Sequence, residues 1–272
     1  MTSPLPDAAL LLPALERLAR LAGACVMAVY ATPFTVQGKA DASPVTLADQ
    51  QAEAVIVAGL RQLTPCWPIV AEEAMAAGPA PALVAGEPFW LVDPLDGTRE
   101  FVARNGEFTV NIALIHQGRP VLGVVLAPAL GGPGGTLYAG VVGLGAWMDD
   151  AAGRRTIHCR APPADGLTML ASRSHGDTAA QDAFMAGWLA RHLPGQRVAQ
   201  TATAGSSLKL CLIAAAQADL YPRLGRTMEW DIAAGHAVLA AAGGRVLRAD
   251  DAGPPLYGKP GFESPHFVAL GA

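Results

Sequence analysis

From Ala14 to Tyr30 the apolar residues Leu15, Leu18, Ala22, Cys25, Val26 and Val29 recur at helical spacing, with Glu16, Arg17 and Arg20 elsewhere on the wheel. That pattern predicts an amphipathic helix devoted to packing. Lys39 to Pro44 reads as a loop. A second helical period runs from Thr46 to about Leu63 and opens on Thr46-Leu47-Ala48-Asp49. This is the spacing of a capping box, in which a hydroxyl and an acid three residues on satisfy free N–H groups. Asp49 is explained equally by such a cap and by a role orienting a hydroxyl beside bound cations.

The period then shortens. Pro68-Ile69-Val70-Ala71 and Phe89-Trp90-Leu91-Val92 are short apolar runs that end in acids: Glu72-Glu73 after the first, Asp93 and Asp96 in a Pro94/Gly97 turn after the second. Each run predicts a buried strand, and two neighbouring strands with acidic ends would direct carboxylates into one crevice. Ala74 to Gly86 reads as an exposed loop. Arg99 to Ala103 predicts a helical turn, and Thr109–Ile115 and Pro120–Ala127 predict paired strands joined by His116–Arg119. Gly131 to Gly135 lacks the lysine and hydroxyl of a phosphate loop and reads as a plain connection before strands at Thr136–Ala139 and Gly145–Met148.

A proline-containing connection at Ala161–Ala164 suggests two lobes, 1–160 and 161–272, packed as one unit. The second lobe is expected to hold a strand at Thr168–Ser172 leading into Ser172-Arg173-Ser174-His175, a helix at Gln181–Leu193 and a strand at Ala218–Pro222. Ser206-Ser207 should cap a helix with Lys209 in its first turn. Glu229-Trp230-Asp231 starts an alanine-rich helix that Gly243-Gly244 ends, with Asp231 either its N-cap or a metal ligand.

Composition narrows the function. A chain of 272 residues with 51% hydrophobic and 15% charged residues can bury a large core. Its net charge of −4 argues against nucleic-acid polymers and anionic membranes as general partners, although a local basic pocket stays open. Cys25, Cys66, Cys159 and Cys211 lack metal-site or disulfide-framework spacing and read as reduced packing residues. The apolar run Ala8–Leu12 has no basic leader, and no run approaches the roughly 20 residues that span a bilayer. The expectation is a cytoplasmic protein.

Chemistry concentrates at the second acidic strand end. Asp93 and Asp96 would repel each other in a low-dielectric site unless a proton or cation lay between them. Hard oxygen ligands favour magnesium, manganese or calcium, and the Leu95 carbonyl can join them. Gly97 allows close approach and Thr98 offers a hydroxyl and an N–H to a phosphate. A solvated Asp-Pro-x-Asp-Gly turn would explain the same residues. Lys209 is unfavourably placed for a helix dipole, which hints at an anion opposite it, although a solvated lysine would also fit.

Asp49, Glu72, Asp93-Pro-Leu-Asp-Gly-Thr98 and Trp230-Asp231 together resemble the magnesium-dependent, lithium-sensitive inositol monophosphatase superfamily. Asp93-Pro-Leu-Asp-Gly-Thr-Arg-Glu-Phe101, Asn105-Gly-Glu-Phe-Thr-Val-Asn-Ile-Ala113, Gly205-Ser-Ser-Leu-Lys-Leu-Cys211 and Ala218-Asp-Leu-Tyr-Pro-Arg223 are similar, more narrowly, to its bacterial 3′(2′),5′-bisphosphate nucleotidases of the CysQ type. The resemblance implies an α/β fold of the α+β kind, a layered αβαβα sandwich. It implies two or more magnesium ions held by Glu72, Asp93, the Leu95 carbonyl, Asp96 and Asp231. Gly97 and Thr98 would contact the scissile phosphate, Glu72 and Thr98 would position the attacking water, and Asp49 would hold Thr98. Ser206, Lys209, Arg223 and Asp231 would contact substrate, with Arg226 and Arg173 as further cations. The implied reaction converts adenosine 3′,5′-bisphosphate to AMP and phosphate. The alternatives are an inositol or sugar phosphatase of the same superfamily and a metal- and nucleotide-binding module without turnover. A homodimer and peripheral attachment to the inner membrane are left open.

Overall fold

The computed structural model describes residues 7–32, 37–38, 44–45, 47–172 and 178–272. The chain begins with α1 (Ala8–Tyr30), two-residue strands β1 (Gln37–Gly38) and β2 (Pro44–Val45), and α2 (Leu47–Leu63). β3 (Ile69–Ala71), α3 (Glu72–Ala77), β4 (Phe89–Asp96) and α4 (Thr98–Val102) follow. A meander then runs through β5 (Thr109–His116), β6 (Arg119–Ala127), β7 (Thr136–Val141), β8 (Gly145–Asp150) and β9 (Gly153–Ile157). The remainder is β10 (Leu167–Ser172), α5 (Thr178–His192), β11 (Val198–Ala204), α6 (Leu208–Ala214), β12 (Leu220–Arg223), α7 (Glu229–Ala241), β13 (Arg245–Arg248) and β14 (Phe267–Leu270).

β3 to β9 form a seven-stranded sheet in sequence order, antiparallel except for β3 beside β4. The second sheet has the order β11-β10-β12-β14-β13, parallel across its first three strands and antiparallel beyond. Three apolar clusters show how they stack. Leu15, Val26, Ile56 and Leu60 of α1 and α2 pack on Trp90, Ile112, Leu114 and Val124, one face of the large sheet. Its other face, through Leu91, Ala113 and Val125, shares a cluster with Leu210 of α6, Val238 of α7, and Tyr221 and Phe267 of the small sheet. Leu220, Val268 and Leu270 then meet Met185, Trp188 and Leu189 of α5. Alternation of side chains in the strands makes each sheet two-faced, and the product is the expected αβαβα sandwich.

α7 lies very close to the large sheet. A Cβ on Gly123 would stand 2.3 Å from the Ala234 carbonyl oxygen, and one on Gly140 would stand 2.7 Å from the Val238 Cα. Side chains at either strand position would push the helix outward.

Several expectations need correction. α1 starts six residues before Ala14, because Asp7 accepts the Ala9 N–H at 3.0 Å and Ala8 and Leu12 extend the buried face through Pro13. Ala74–Ala77 continue a helix instead of a loop. β4 does not stop at Val92; it runs to Asp96 through a register break between Asp93 and Asp96. β9 and β11 escaped prediction because both are edge strands with mostly exposed residues; β13 and β14 were not expected either. Thr46, most of the loop predicted at Lys39–Pro44, and Arg173, Ser174 and His175 lie outside the described residues. The four cysteines are unpaired, and burial pushes the thiols of Cys211 and Cys159 up, the latter to about 11. Among the described residues no helix is long and apolar enough to cross a membrane.

His236 of α7 is buried, with Nδ1 2.7 Å from the Tyr257 hydroxyl, and burial pulls its pKa down from 6.5 to about 4. Between those values the unfolded chain takes up a proton that the folded chain refuses, so stability falls as pH drops from 6.5 toward 4. The full window amounts to about 3 kcal/mol. His236→Gln is therefore expected to melt with a flatter acid dependence than the parent. Superimposable pH–melting curves would show that His236 is not the group responsible.

Candidate active site

Strand alternation carries Asp93 onto the same face as Phe89 and Leu91, and its side chain is buried. Its Oδ1 accepts the Leu95 N–H at 3.0 Å, an Asx turn that bends the chain at Pro94 and produces the register break. The bend redirects Asp96, whose Oδ2 accepts the Ser207 N–H. Gly97 then takes φ +90°, which a side chain would resist, and opens α4 as its N-cap. The Thr98 hydroxyl lies 3.5 Å from the Leu95 carbonyl.

Two acids arrive on helices. Glu72 is the first residue of α3, and this short helix is itself held by Glu53 of α2, whose carboxylate accepts the N–H groups of Glu73 and Ala74 at 2.8 and 2.9 Å. Asp231 is not the N-cap of α7. Met228 holds that position, and Asp231, three residues on, reaches back to accept its N–H at 2.9 Å.

These acids share one electrostatic neighbourhood. The Asp93 carboxyl is held well above its usual range, first by burial and then by the charges of Glu72, Asp96, Asp231 and Asp49. Burial likewise raises Asp231, with Asp96 and Glu72 adding to it. Asp96 rises to about 6 through burial, opposed by Lys209 and the Ser207 N–H. Such crowding is unstable at neutral pH without protons or cations, and an all-oxygen donor set suits a hard divalent ion. Among the described residues no three His, Cys, Asp or Glu side chains form a ready-made cation cage. The acids instead line an open crevice of about 270 Å³.

Glu72, Asp93, Leu95, Asp96, Thr98 and Asp231 line that crevice together with Ser206, Lys209, Tyr221, Arg223 and Arg226. Gly97 is also on its surface; Asp49 is buried and is not. Lys209 does not simply face an anion. Its Nζ donates to the carbonyls of Ser206 at 2.8 Å and Ala204 at 3.2 Å, and lies 5.0 Å from the Tyr221 ring centroid. Burial lowers its pKa to about 8 against the opposing pull of Asp96. The expected serine cap is divided: Ser207 stands at the N-cap and its N–H serves Asp96, while the Ser206 hydroxyl accepts the Leu208 N–H at 3.4 Å. Arg223 donates to the Thr227 hydroxyl and, at 2.9 Å, to the Arg226 carbonyl, which holds its guanidinium at the crevice. Arg226 sits at the exposed rim, 3.6 Å from Glu263.

The sequence reading missed three contributors. Arg99 lines the crevice as well. Glu107 accepts the Gly205 N–H at 2.9 Å, and a Cβ on Gly205 would stand 2.5 Å from the Glu107 carbonyl, so the segments before β5 and after β11 touch backbone to backbone here. Glu53 was visible in principle, since it interrupts the buried stripe Ala48, Ala52, Ile56, Leu60 with an acid.

The sequence profile of the inositol monophosphatase family matches residues 7–266. The chain belongs to the inositol monophosphatase family. Within the family it is 47% identical over 244 residues to the 3′(2′),5′-bisphosphate nucleotidase CysQ of Escherichia coli O157:H7, covering 88% of this chain and 90% of that protein. The CysQ of Salmonella typhimurium is 47% identical over 234 residues, covering 85% and 87%. Among solved structures, CysQ from Bacteroides thetaiotaomicron superimposes with a TM-score of 0.74 at 33% identity, covering 95% of this chain and 97% of that one. An inositol monophosphatase from Anabaena gives a TM-score of 0.70 at 25% identity, covering 95% and 89%. In this inositol monophosphatase family member the acids come from α3, β4 and α7, so the crevice exists only when α7 is seated on the large sheet.

Proposed function

We propose that this protein is a magnesium-dependent phosphatase that removes the 3′-phosphate of adenosine 3′,5′-bisphosphate, giving AMP and phosphate. The observation that carries the reading is the pairing, in one crevice, of mutually repelling carboxyls with a buried lysine and three arginines. The carboxyls suit cations and a phosphoryl group; the lysine and arginines suit a second phosphate. Identity of 47% to two CysQ nucleotidases supports the bisphosphate nucleotide over inositol phosphates.

Glu72, Asp93, the Leu95 carbonyl, Asp96 and Asp231 would hold two or more magnesium ions. Bound there, the ions supply Lewis-acid polarisation of the phosphoryl group and a lowered pKa for the attacking water. Gly97 and Thr98 place N–H groups at the start of α4 for the scissile phosphate, and the open backbone at Gly97 lets it come close. Glu72 and the Thr98 hydroxyl orient the water for in-line attack, with Asp49 buried nearby as the group that steadies Thr98. Ser206, Lys209 and Arg223 receive the second phosphate, and Arg226 and Arg99 add positive charge at the mouth. The small anionic substrate fits a protein of net charge −4 because Lys209, Arg223, Arg226 and Arg99 put a local set of basic groups into this crevice. We assign the protein to the cytoplasm and treat 1–160 and 161–272 as its two lobes.

A phosphate-release panel with magnesium, with and without lithium, tests the reading. Adenosine 3′,5′-bisphosphate is expected to have the highest kcat/KM, with lithium inhibiting. A clear preference for inositol 1-phosphate or fructose 1,6-bisphosphate would move the protein to another branch of the family, and absence of turnover on all three would leave a binding module.

A further inference from the structure

Residues adjacent to the crevice acids carry buried polar atoms that find no hydrogen-bond partner: Oδ1 and Nδ2 of Asn111, the Thr109 hydroxyl, the Ser207 hydroxyl and the Trp230 indole N–H. Asn111 is the most telling, because it is 1% exposed and both ends of its amide are unsatisfied. Native proteins pair nearly all such groups, because a buried donor or acceptor left unpaired loses its hydration without compensation. Its neighbours along the same face of β5, Ala113 and Ile115, are apolar core residues. An apolar side chain would be the default at 111 as well.

The ladder explains what the amide is beside. Asn111 pairs directly with Asp93 across β4 and β5, and Thr109 pairs with Asp96. Alternation puts Asn111 and Asp93 on one face, where directly opposed Cβ atoms stand about 4.5–5.5 Å apart. A donor at this place stabilises an ionised carboxylate. A lysine or arginine would do so too, but its charge would compete with a cation for Asp93, and an acid would add to the repulsion already present. A neutral amide is the side chain that supplies an N–H without changing the charge of the wall.

We propose that Asn111 is a positioning residue for Asp93: its amide N–H, through one buried water, fixes the carboxylate in the orientation that binds a divalent ion. This rests on the cation reading given above. Partners of this kind behind a metal ligand are typically worth about 10- to 100-fold in metal affinity.

The test is calorimetric titration of metal-free protein with magnesium chloride, paired with melting curves in chelator, on the parent, Asn111→Leu and Asn111→Ser. Asn111→Leu is expected to weaken magnesium binding by about 10- to 100-fold. Its melting temperature in chelator should equal or exceed that of the parent, because unsatisfied polar atoms are replaced by an apolar group of similar size. Asn111→Ser keeps a donor and leaves space for a water, and should recover most of the affinity. Parent-like magnesium binding in Asn111→Leu, or equal weakening in both variants, would overturn the role of Asn111. A parent protein that takes up no magnesium would overturn the cation reading itself, which separates the two failures.

Discussion

Asp93→Asn is expected to lower kcat by roughly a thousandfold or more, because the Lewis-acid contribution of a bound cation is worth several kcal/mol and an amide cannot replace the ligand charge. The variant should nevertheless fold well. Asp93 in the metal-free protein is held far above its normal pKa by burial and by Glu72, Asp96, Asp231 and Asp49, so its ionised form opposes folding at neutral pH. Removing that charge should leave the melting temperature in chelator unchanged or raised. Magnesium should then stabilise the parent and not the variant. The measurements are steady-state turnover and melting curves with chelator and with magnesium. Turnover within tenfold of the parent, or an unaltered magnesium-induced shift, would remove Asp93 from the cation site.

Lys209→Ala carries the second large effect, and the structure makes its reading more demanding than the sequence suggested. The ammonium is buried beside Asp96, and it also ties down the carbonyls of Ala204 and Ser206. Loss of a buried charged partner typically costs about 2–5 kcal/mol, so kcat/KM for adenosine 3′,5′-bisphosphate should fall on the order of a hundredfold. Part of that loss comes from the loosened Ala204–Ser206 backbone and from Asp96, which loses the charge that most lowers its pKa. Those parts affect every substrate. The recognition component is the additional loss seen with the bisphosphate compared with a nucleoside monophosphate. Equal losses on both would restrict Lys209 to anchoring the loop.

The acidic wall was legible in the sequence because each acid ends a recognisable apolar run or begins a recognisable helix. Glu72 follows Ile69-Val70-Ala71, Asp93 follows Trp90-Leu91-Val92, and Asp231 precedes an alanine-rich period. Periodicity locates such residues; it does not say which backbone groups they bind. Asp231 therefore looked like a cap residue, yet it sits one turn inside α7 and reaches back to Met228. Lys209 looked like a free cation for the same reason. Lys209, Arg223 and Arg226 were picked out among the basic residues and Arg99 was not, since it comes to the same crevice from a segment more than a hundred residues away. β11 was missed because an exposed edge strand carries no apolar alternation for sequence reasoning to find.

The glycines at 123 and 140 bear on more than packing. By letting α7 sink onto the large sheet they bring Asp231 to acids contributed by α3 and β4. On the proposed reading, a divalent ion held by Asp231 together with the acids of α3 and β4 would act as a rivet, adding RT ln(1 + [ion]/Kd) to the cohesion of the molecule. Hydrolysis and mechanical integrity would rise and fall together with the magnesium supply, so depletion of the ion would both silence the enzyme and loosen it toward proteolysis.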